Sequence, residues 1–274
     1  MADVESDDRR TEIEFNKPNS ARIWNYWMGG KDNYEIDQEV GDAYAEVFPG
    51  ITTWAKQARQ FIIRSVRYMA EAGVRQFLDI GTGFPVVQNT HEVAQSVAPD
   101  AKIVYVDNDP VVLAHARALL TTTTDEGVCA FVDADLRDTD QVIAAAREIL
   151  NFNQPIAVMF NGVLGHIENY DEVLAVVGRY MSAVPSGSYL EHYDGSDADP
   201  AYPRALAQFV NTEDNAGWGY HARTPEQIKQ LFDGLELVEP GVVRLSEWRP
   251  DLAARVGSGQ AVDVVSMGGV GRKP

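Results

Sequence analysis

Residues Arg75–Asn89 read RQFLDIGTGFPVVQN and decide the fold of this chain. A short apolar run reaches the carboxylate Asp79, and the chain then turns through Gly81 and Gly83. Glycines at such a bend let the backbone approach a ligand closely because they carry no Cβ, and a helix beyond the bend presents unpaired N–H groups. We therefore predict a strand, a ligand-binding turn and a helix that has Pro85 in its first turn.

Asp79 distinguishes this turn from a dinucleotide-binding turn. Dinucleotide-binding turns carry three glycines as G-x-G-x-x-G, whereas Val86 stands at the third position here. A carboxylate two residues before the first glycine would repel a pyrophosphate and attract a cationic group. The turn therefore favours a ligand that carries a positive charge.

From Val74 the chain alternates strands with helices. The apolar runs predict five strands, at Phe77–Ile80, Lys102–Val106, Val128–Val132, Pro155–Phe160 and Ser188–Tyr193. Strands and helices that alternate at this spacing indicate a mostly parallel sheet with helices on both faces. The last apolar runs, Leu235–Leu245 and Ala261–Met267, resemble an antiparallel pair that finishes the sheet.

Polar residues follow the first four of these strands, and ligands bind beyond the carboxyl ends of strands in such sheets. The residues are Asp79 with Gly81, Thr82 and Gly83, then Asp107 with Asn108, Asp135 with Leu136, and Asn161 with Gly162. An acid at the end of the second strand, here Asp107, usually accepts from ribose hydroxyls. We expect Asp135 to accept from an adenine amino group beside Leu136, and Asp79 to lie near a cationic centre such as an α-amino group.

The segment at residues 20–33, SARIWNYWMGGKDN, is unusually aromatic. It either docks its rings on the core or forms a lid that places Tyr26, Lys31 and Asn33 near the ligand. Both interpretations stay open.

Two helical patterns follow, at Tyr34–Val47 and Thr53–Ala72. In the second, Arg59, Arg64 and Arg67 lie largely off the apolar stripe, so we interpret them as a solvated polar face. Arg64 is the one that could instead reach a carboxylate in the ligand site.

The chain of 274 residues has a net charge of −18. Such an acidic surface disfavours binding to nucleic acid and to anionic membranes, because proteins bind these partners through Lys and Arg side chains. The first residues lack the apolar core of a signal peptide, and no apolar run approaches the length of a membrane span. We expect a cytoplasmic protein, without a metal site and with an acidic, disordered tail at residues 1–15.

Three motifs resemble those of the class I S-adenosylmethionine-dependent methyltransferases. They are FLDIGTG at 77–83, VYVD at 104–107 and DADL at 133–136. Together with the aromatic segment Trp24–Gly30, FLDIGTGFP and YVDNDP are similar to a bacterial, largely actinobacterial, methyltransferase family long catalogued as a domain of unknown function. The resemblance starts at about Asn19 and continues to the C-terminus.

The resemblance implies an α/β fold: a Rossmann-like, doubly wound, mostly parallel seven-stranded sheet with a C-terminal antiparallel hairpin and an N-terminal helical and aromatic cap. We expect residues 16–274 to form one domain, with the cap at 16–73 and the core at 74–274. The implied cofactor is S-adenosylmethionine, with S-adenosylhomocysteine as product.

The implied activity is methyl transfer to an unidentified small molecule by in-line displacement. A general base is needed only if the acceptor must first lose a proton. His166 and His192 are the candidates, with Glu191, Tyr193 and Asp194 as weaker ones. Two alternatives stay open, a cofactor-binding sensor without turnover and, less favoured, an NAD-dependent oxidoreductase. The oligomeric state does not follow from the sequence.

Overall fold

A mixed β-sheet forms the centre of the molecule. The computed structural model describes residues 17–85, 88–119, 121–210, 219–250 and 266–274. Within them the strands are β1 Gln76–Ile80, β2 Lys102–Asp107, β3 Val128–Asp133, β4 Ala157–Asn161, β5 Tyr189–Gly195, β6 Glu236–Leu237, β7 Val243–Arg244 and β8 Ser266–Arg272.

The strand order is β3-β2-β1-β4-β5-β8-β6, and β7 pairs with β8 beside this path. β1 to β5 pair in parallel, whereas β8 is antiparallel to β5, β6 and β7. The predicted Rossmann-like sheet, seven strands along its path with antiparallel pairing at its C-terminal edge, is confirmed.

Helices cover both faces of the sheet. They are α1 Ser20–Trp27, α2 Glu35–Val47, α3 Ile51–Glu71, α4 Thr90–Val97, α5 Pro110–Leu119, α6 Thr139–Arg147, α7 Tyr170–Ala183, α8 Ala201–Ala205 and α9 Pro225–Gln230, with a 3₁₀ turn at Leu164–His166 and a π-helical turn at Leu206–Val210. The apolar sides of α1 to α4 pack into one core on one face, and those of α6, α7 and α9 pack into a second core on the other. This double winding brings the carboxyl ends of β1 to β5 to one edge.

The helix after β1 starts later than predicted. We placed Pro85 in its first turn, but α4 begins at Thr90, so that prediction is wrong. Asn89 precedes the helix, and its backbone N–H donates to Glu92 Oε2 at 2.6 Å. The start is therefore fixed by this capping pair and not by the proline.

The last strand also differs from its prediction at Ala261–Met267, because β8 spans Ser266–Arg272. The glycines of β8 made this strand hard to predict from sequence, since glycine is depleted in strands. Here they permit close packing: a Cβ on Gly268 would lie 2.6 Å from the Cβ of Tyr193, and one on Gly269 would lie 3.1 Å from the carbonyl oxygen of Gly241. Residues 261–265 lie outside the described residues.

The two predicted N-terminal helices are present as α2 and α3, and the aromatic segment contains α1. The predicted tail at residues 1–15 lies outside the described residues. In the part of the chain that the structure describes, no helix has the length and apolar character needed to cross a membrane.

Candidate active site

A cavity of about 1050 Å³ lies at the carboxyl edge of the sheet. One side is formed by the strand ends of β1, β2 and β4, and the other by aromatic residues of the N-terminal helices and of the chain after β5. The cavity contacts most of the residues that sequence analysis selected. They are Asp79, Gly81, Thr82, Gly83, Asp107, Asn108, Asp135, Leu136, Asn161, Gly162 and His166.

The glycine turn after β1 is held by neighbouring strands. Gly81 and Gly83 have φ values of +74° and +65°, a conformation that L side chains rarely adopt. The Gly81 N–H donates to Val106 O at 2.8 Å. A Cβ on Gly81 would lie 2.3 Å from a methyl of Val163, whereas one on Gly83 would meet nothing within 4 Å. The turn is therefore closely packed at Gly81 and open at Gly83.

Asp107 lies at the end of β2 and supports this turn. Its Oδ2 accepts from the Gly83 N–H at 2.9 Å, and its Oδ1 accepts from the Asp109 N–H at 2.9 Å. Burial raises the pKa of Asp107, while these backbone donors oppose that shift. Because a carboxylate has about four acceptor sites, Asp107 can still accept further hydrogen bonds from a ligand.

Asp79 is buried beneath the cavity. Its Oδ2 accepts from Thr90 Oγ1 at 2.7 Å, and burial raises its pKa to about 6 despite the favourable charge of Arg59. We had interpreted Arg59 as part of a solvated face, which is wrong: it lines the cavity. Arg59 comes four residues after the buried Ala55 on α3, and residues four apart lie on the same face of a helix. That spacing was the available signal that the Arg59 side chain faces inward.

Asp135 is already engaged by its neighbours. Its Oδ1 accepts from the backbone N–H and Nε of Arg137, at 2.9 and 2.8 Å, and its Oδ2 accepts from Arg137 Nη2 at 2.6 Å and Asn108 Nδ2 at 3.3 Å. The hydrogen bonds from Arg137 hold the pKa of Asp135 below its usual range. An adenine amino group would have to compete with these donors.

Asn161 connects the cavity to a buried acid that lies behind it. Its Nδ2 donates to Glu191 Oε2 at 3.0 Å, and Ser65 Oγ donates to Glu191 Oε1 at 2.6 Å. Burial raises the pKa of Glu191 to about 8. Among the described residues, Asn161 Oδ1 is buried without a hydrogen-bond partner.

The two candidate histidines occupy different surroundings. His166 lines the cavity, and its Nδ1 lies 3.0 Å from Gly219 O. His192 does not line it. Its Nδ1 lies 2.9 Å from Phe160 O, and burial lowers its pKa to about 4, so it is a neutral histidine of the core.

The remaining selected residues do not line the cavity. Tyr26 donates from Oη to Asp42 Oδ1 at 2.7 Å, and Asn33 donates to Gly30 O at 3.0 Å. Lys31 is exposed. Arg64 donates to the carbonyl oxygens of Trp248 and Leu245, at 2.8 and 2.6 Å. These contacts pin the segment after β7 to α3.

Aromatic side chains form the other side of the cavity, and among them only Tyr193, a weaker candidate base, was selected from sequence. They include Trp24, Trp54, Tyr193, Tyr202 and Tyr220. Trp54 contacts Trp24 and Tyr202 edge to face, with ring centroids 5.6 and 4.9 Å apart. The aromatic segment therefore packs on the core and contributes Trp24 to the cavity.

Comparison with known proteins identifies the family. Residues 6–274 match the family model described as "S-adenosyl methyltransferase". The chain belongs to this family. It is an enzyme that uses S-adenosylmethionine, and its family membership gives no support to the sensor or NAD-dependent alternatives.

Solved structures agree with this assignment. This S-adenosyl methyltransferase is similar to a DUF574 family protein from Streptomyces avermitilis, with 39% identity over 94% of this chain and 98% of that one, and a TM-score of 0.86. It is also similar to a provisionally assigned methyltransferase from Thermobifida fusca, with 40% identity over 98% and 99% of the two chains and a TM-score of 0.83.

A more distant structure shares the fold alone. The plantazolicin methyltransferase BpumL, solved with a triazolic desmethylPZN analogue and S-adenosylhomocysteine, has 12% identity over 93% of this chain and 96% of its own, with a TM-score of 0.52. No curated protein matched the chain. Within the described residues, no three His, Cys, Asp or Glu side chains are grouped to hold a metal ion.

Proposed function

We propose that this methyltransferase transfers a methyl group to a small-molecule acceptor by in-line displacement. The division of its cavity supports this proposal, because carboxylates and glycines form one side and aromatic rings the other. The volume of about 1050 Å³ lies just above the roughly 300–1,000 Å³ range of ligand pockets. Cofactor and a small acceptor can therefore share it.

The polar side has the chemistry that S-adenosylmethionine needs. Asp107 has acceptor capacity for two ribose hydroxyls, and Asp79 offers negative charge to a cationic group. The open space beside Gly83 lets a ligand approach the backbone. Asp135 is the weakest match because Arg137 already uses its oxygens. We propose contacts to the cofactor also from Gly81, Thr82, Asn108, Leu136, Asn161 and Gly162, which line the same side.

When bound, S-adenosylmethionine supplies an activated methyl group, so the chain mainly has to align the acceptor and exclude water. We assign exclusion of water to the rings of the aromatic side. His166 is the histidine that we propose as a base for acceptors that must lose a proton, since it lines the cavity. Single-domain organisation, a cytoplasmic location and the absence of a nucleic-acid partner stay predictions.

Two measurements test this function. Isothermal titration should detect binding of S-adenosylhomocysteine and none of NAD. Methyl transfer from labelled S-adenosylmethionine into a metabolite extract should label a small molecule. Binding without incorporation across a broad panel of extracts would contradict methyl transfer to a small molecule.

A further inference from the structure

Tyr220 and Asp194 form a hydrogen-bonded pair at the aromatic side of the cavity. Tyr220 Oη donates to Asp194 Oδ1 at 2.5 Å, and Oδ1 also accepts from the Gly195 N–H at 2.8 Å. Asp194 has 0% exposed surface. Its Oδ2 is buried without a hydrogen-bond partner among the described residues. Asp194 does not line the cavity itself, so this buried carboxylate, with one oxygen left unsatisfied, acts on a ligand through Tyr220 and through its charge.

This pair lies close to the strand ends that form the polar side. Tyr220 packs against the turn after β4, where a Cβ on Gly165 would lie 2.2 Å from its ring, and its ring meets that of His166 edge to face at 4.9 Å. In the same turn, a Cβ on Gly162 would lie 3.2 Å from Tyr193 Oη. Tyr220 lines the cavity beside the turn that follows Asn161. The polar and aromatic sides of the cavity meet there.

The direction of the Tyr220 hydrogen bond determines what it can recognise. Because its hydrogen is given to Asp194, its oxygen can only accept from a ligand. Asp194 lies directly behind, so a ligand carboxylate or phosphate would be repelled. The positive charge of Arg223 offsets part of the charge of Asp194, but Arg223 does not line the cavity, and its guanidinium donates to the carbonyl oxygens of Ile167 and Glu168. The pair therefore favours a cationic hydrogen-bond donor.

The surrounding rings strengthen that preference. A Cβ on Gly195, next to Asp194, would lie 2.4 Å from Trp54 and 2.5 Å from Tyr202, so both rings lie against the same strand end. Aromatic faces attract cations by about 0.5–2 kcal/mol, more strongly when water is excluded. The same rings provide apolar contacts for the body of a ligand.

We propose that the Tyr220–Asp194 pair binds an amino group of the methyl acceptor, whose apolar part packs among Trp24, Trp54 and Tyr202. The substrate class is thus an amine with an apolar or aromatic body. This inference rests on the proposed function, because it assigns the second ligand of the same cavity.

Three probes of similar shape test this assignment by isothermal titration into protein saturated with S-adenosylhomocysteine at pH 7.5. They are 2-phenylethylamine, 2-phenylethanol and 3-phenylpropionate. The amine should bind about tenfold tighter than the alcohol, since one charge-assisted contact is worth about 1.4 kcal/mol or more, and the carboxylate should bind weakest. Tyr220→Phe and Asp194→Asn should each reduce this preference to about twofold or less.

Tyr170→Phe is the matched control, because Tyr170 Oη donates to Gln227 O at 2.6 Å outside the cavity lining. It should keep the preference of the unchanged protein. All three variants should bind S-adenosylhomocysteine as the unchanged protein does, which also shows that they fold.

Equal binding of the three probes, binding of none, or an amine preference that survives Tyr220→Phe would overturn the assignment. Failure of S-adenosylhomocysteine itself to bind would instead refute the proposed function. The two failures are thus separate observations.

Discussion

Asp107 Oδ2 lies 2.9 Å from the backbone nitrogen of Gly83 and accepts its hydrogen bond. The contact joins the end of β2 to the turn after β1, so one carboxylate both shapes the glycine turn and faces the cavity. Residues at the ends of two neighbouring strands thereby act as one unit.

Asp107→Ala should weaken S-adenosylhomocysteine binding by roughly tenfold to a hundredfold, because hydrogen bonds to a charged group contribute about 1.5–3 kcal/mol. Isothermal titration measures the change. Asp133→Ala is the control, since Asp133 ends β3 outside the cavity lining. An unchanged affinity in Asp107→Ala would contradict the assignment of this residue.

Asp79→Asn should stabilise the cofactor-free protein and weaken its binding of S-adenosylhomocysteine. Burial raises the pKa of Asp79 from 3.8 to about 6, so the folded protein keeps a proton that the unfolded chain loses. Stability therefore falls as pH rises from about 4 to about 6. The amide removes the buried charge and can still accept from Thr90.

Thermal unfolding without ligand measures this effect. Asp79→Asn should raise Tm by roughly 3 °C at pH 8 and leave it nearly unchanged at about pH 3, below both pKa values, where Asp79 is largely protonated in the folded and the unfolded state. A gain of equal size at both pH values would show that the buried charge is not its cause.

Gly81→Ala should destabilise the protein more than Gly83→Ala. Both glycines have positive φ, which costs an L-residue about 1–2 kcal/mol, but only at Gly81 would the new Cβ collide with Val163. Chemical denaturation should show the difference in the free energy of unfolding.

The collision can be tested separately from the strain. Val163→Gly should recover part of the stability lost in Gly81→Ala and none of that lost in Gly83→Ala. Additive losses in the double variant of Gly81 and Val163 would rule out the contact as the cause.

Arg64→Ala should lower the free energy of unfolding by about 1.5–3 kcal/mol, because Arg64 holds two carbonyl oxygens of the C-terminal segment. S-Adenosylhomocysteine affinity should not change, since Arg64 lies outside the cavity lining. Lys56→Ala, an exposed change on the same helix, should alter neither. A loss of affinity in Arg64→Ala would restore its predicted role as a cofactor ligand.

The polar side of the cavity was predictable from sequence because each of its residues lies at or just beyond the carboxyl end of an apolar strand. In a parallel sheet the carboxyl ends of the strands meet at one edge. Residues at the ends of successive strands therefore lie close together in the fold. Asp79, Asp107, Asp135 and Asn161 were found in this way.

The aromatic side was not predictable by the same reasoning. Trp24, Trp54, Tyr202 and Tyr220 come from separate segments, and only the packing of those segments brings them together. Apolar spacing in the helical pattern Thr53–Ala72 places Trp54 on the buried face of that helix but cannot indicate that its ring also lines a cavity. Arg64 shows the same limit, since it donates to backbone carbonyls of Leu245 and Trp248, 181 and 184 residues further along the chain, and no local pattern indicates such partners.

Three buried carboxyl groups have raised pKa values, about 6 for Asp79 and Asp194 and about 8 for Glu191. A cationic ligand beside them favours their ionised forms, so its binding should release protons into solution. Affinity for such ligands should therefore increase with pH, up to about pH 6 through Asp79 and Asp194 and up to about pH 8 through Glu191. The heat measured on binding should also differ between buffers such as phosphate and Tris, because the buffer takes up the protons that the protein loses.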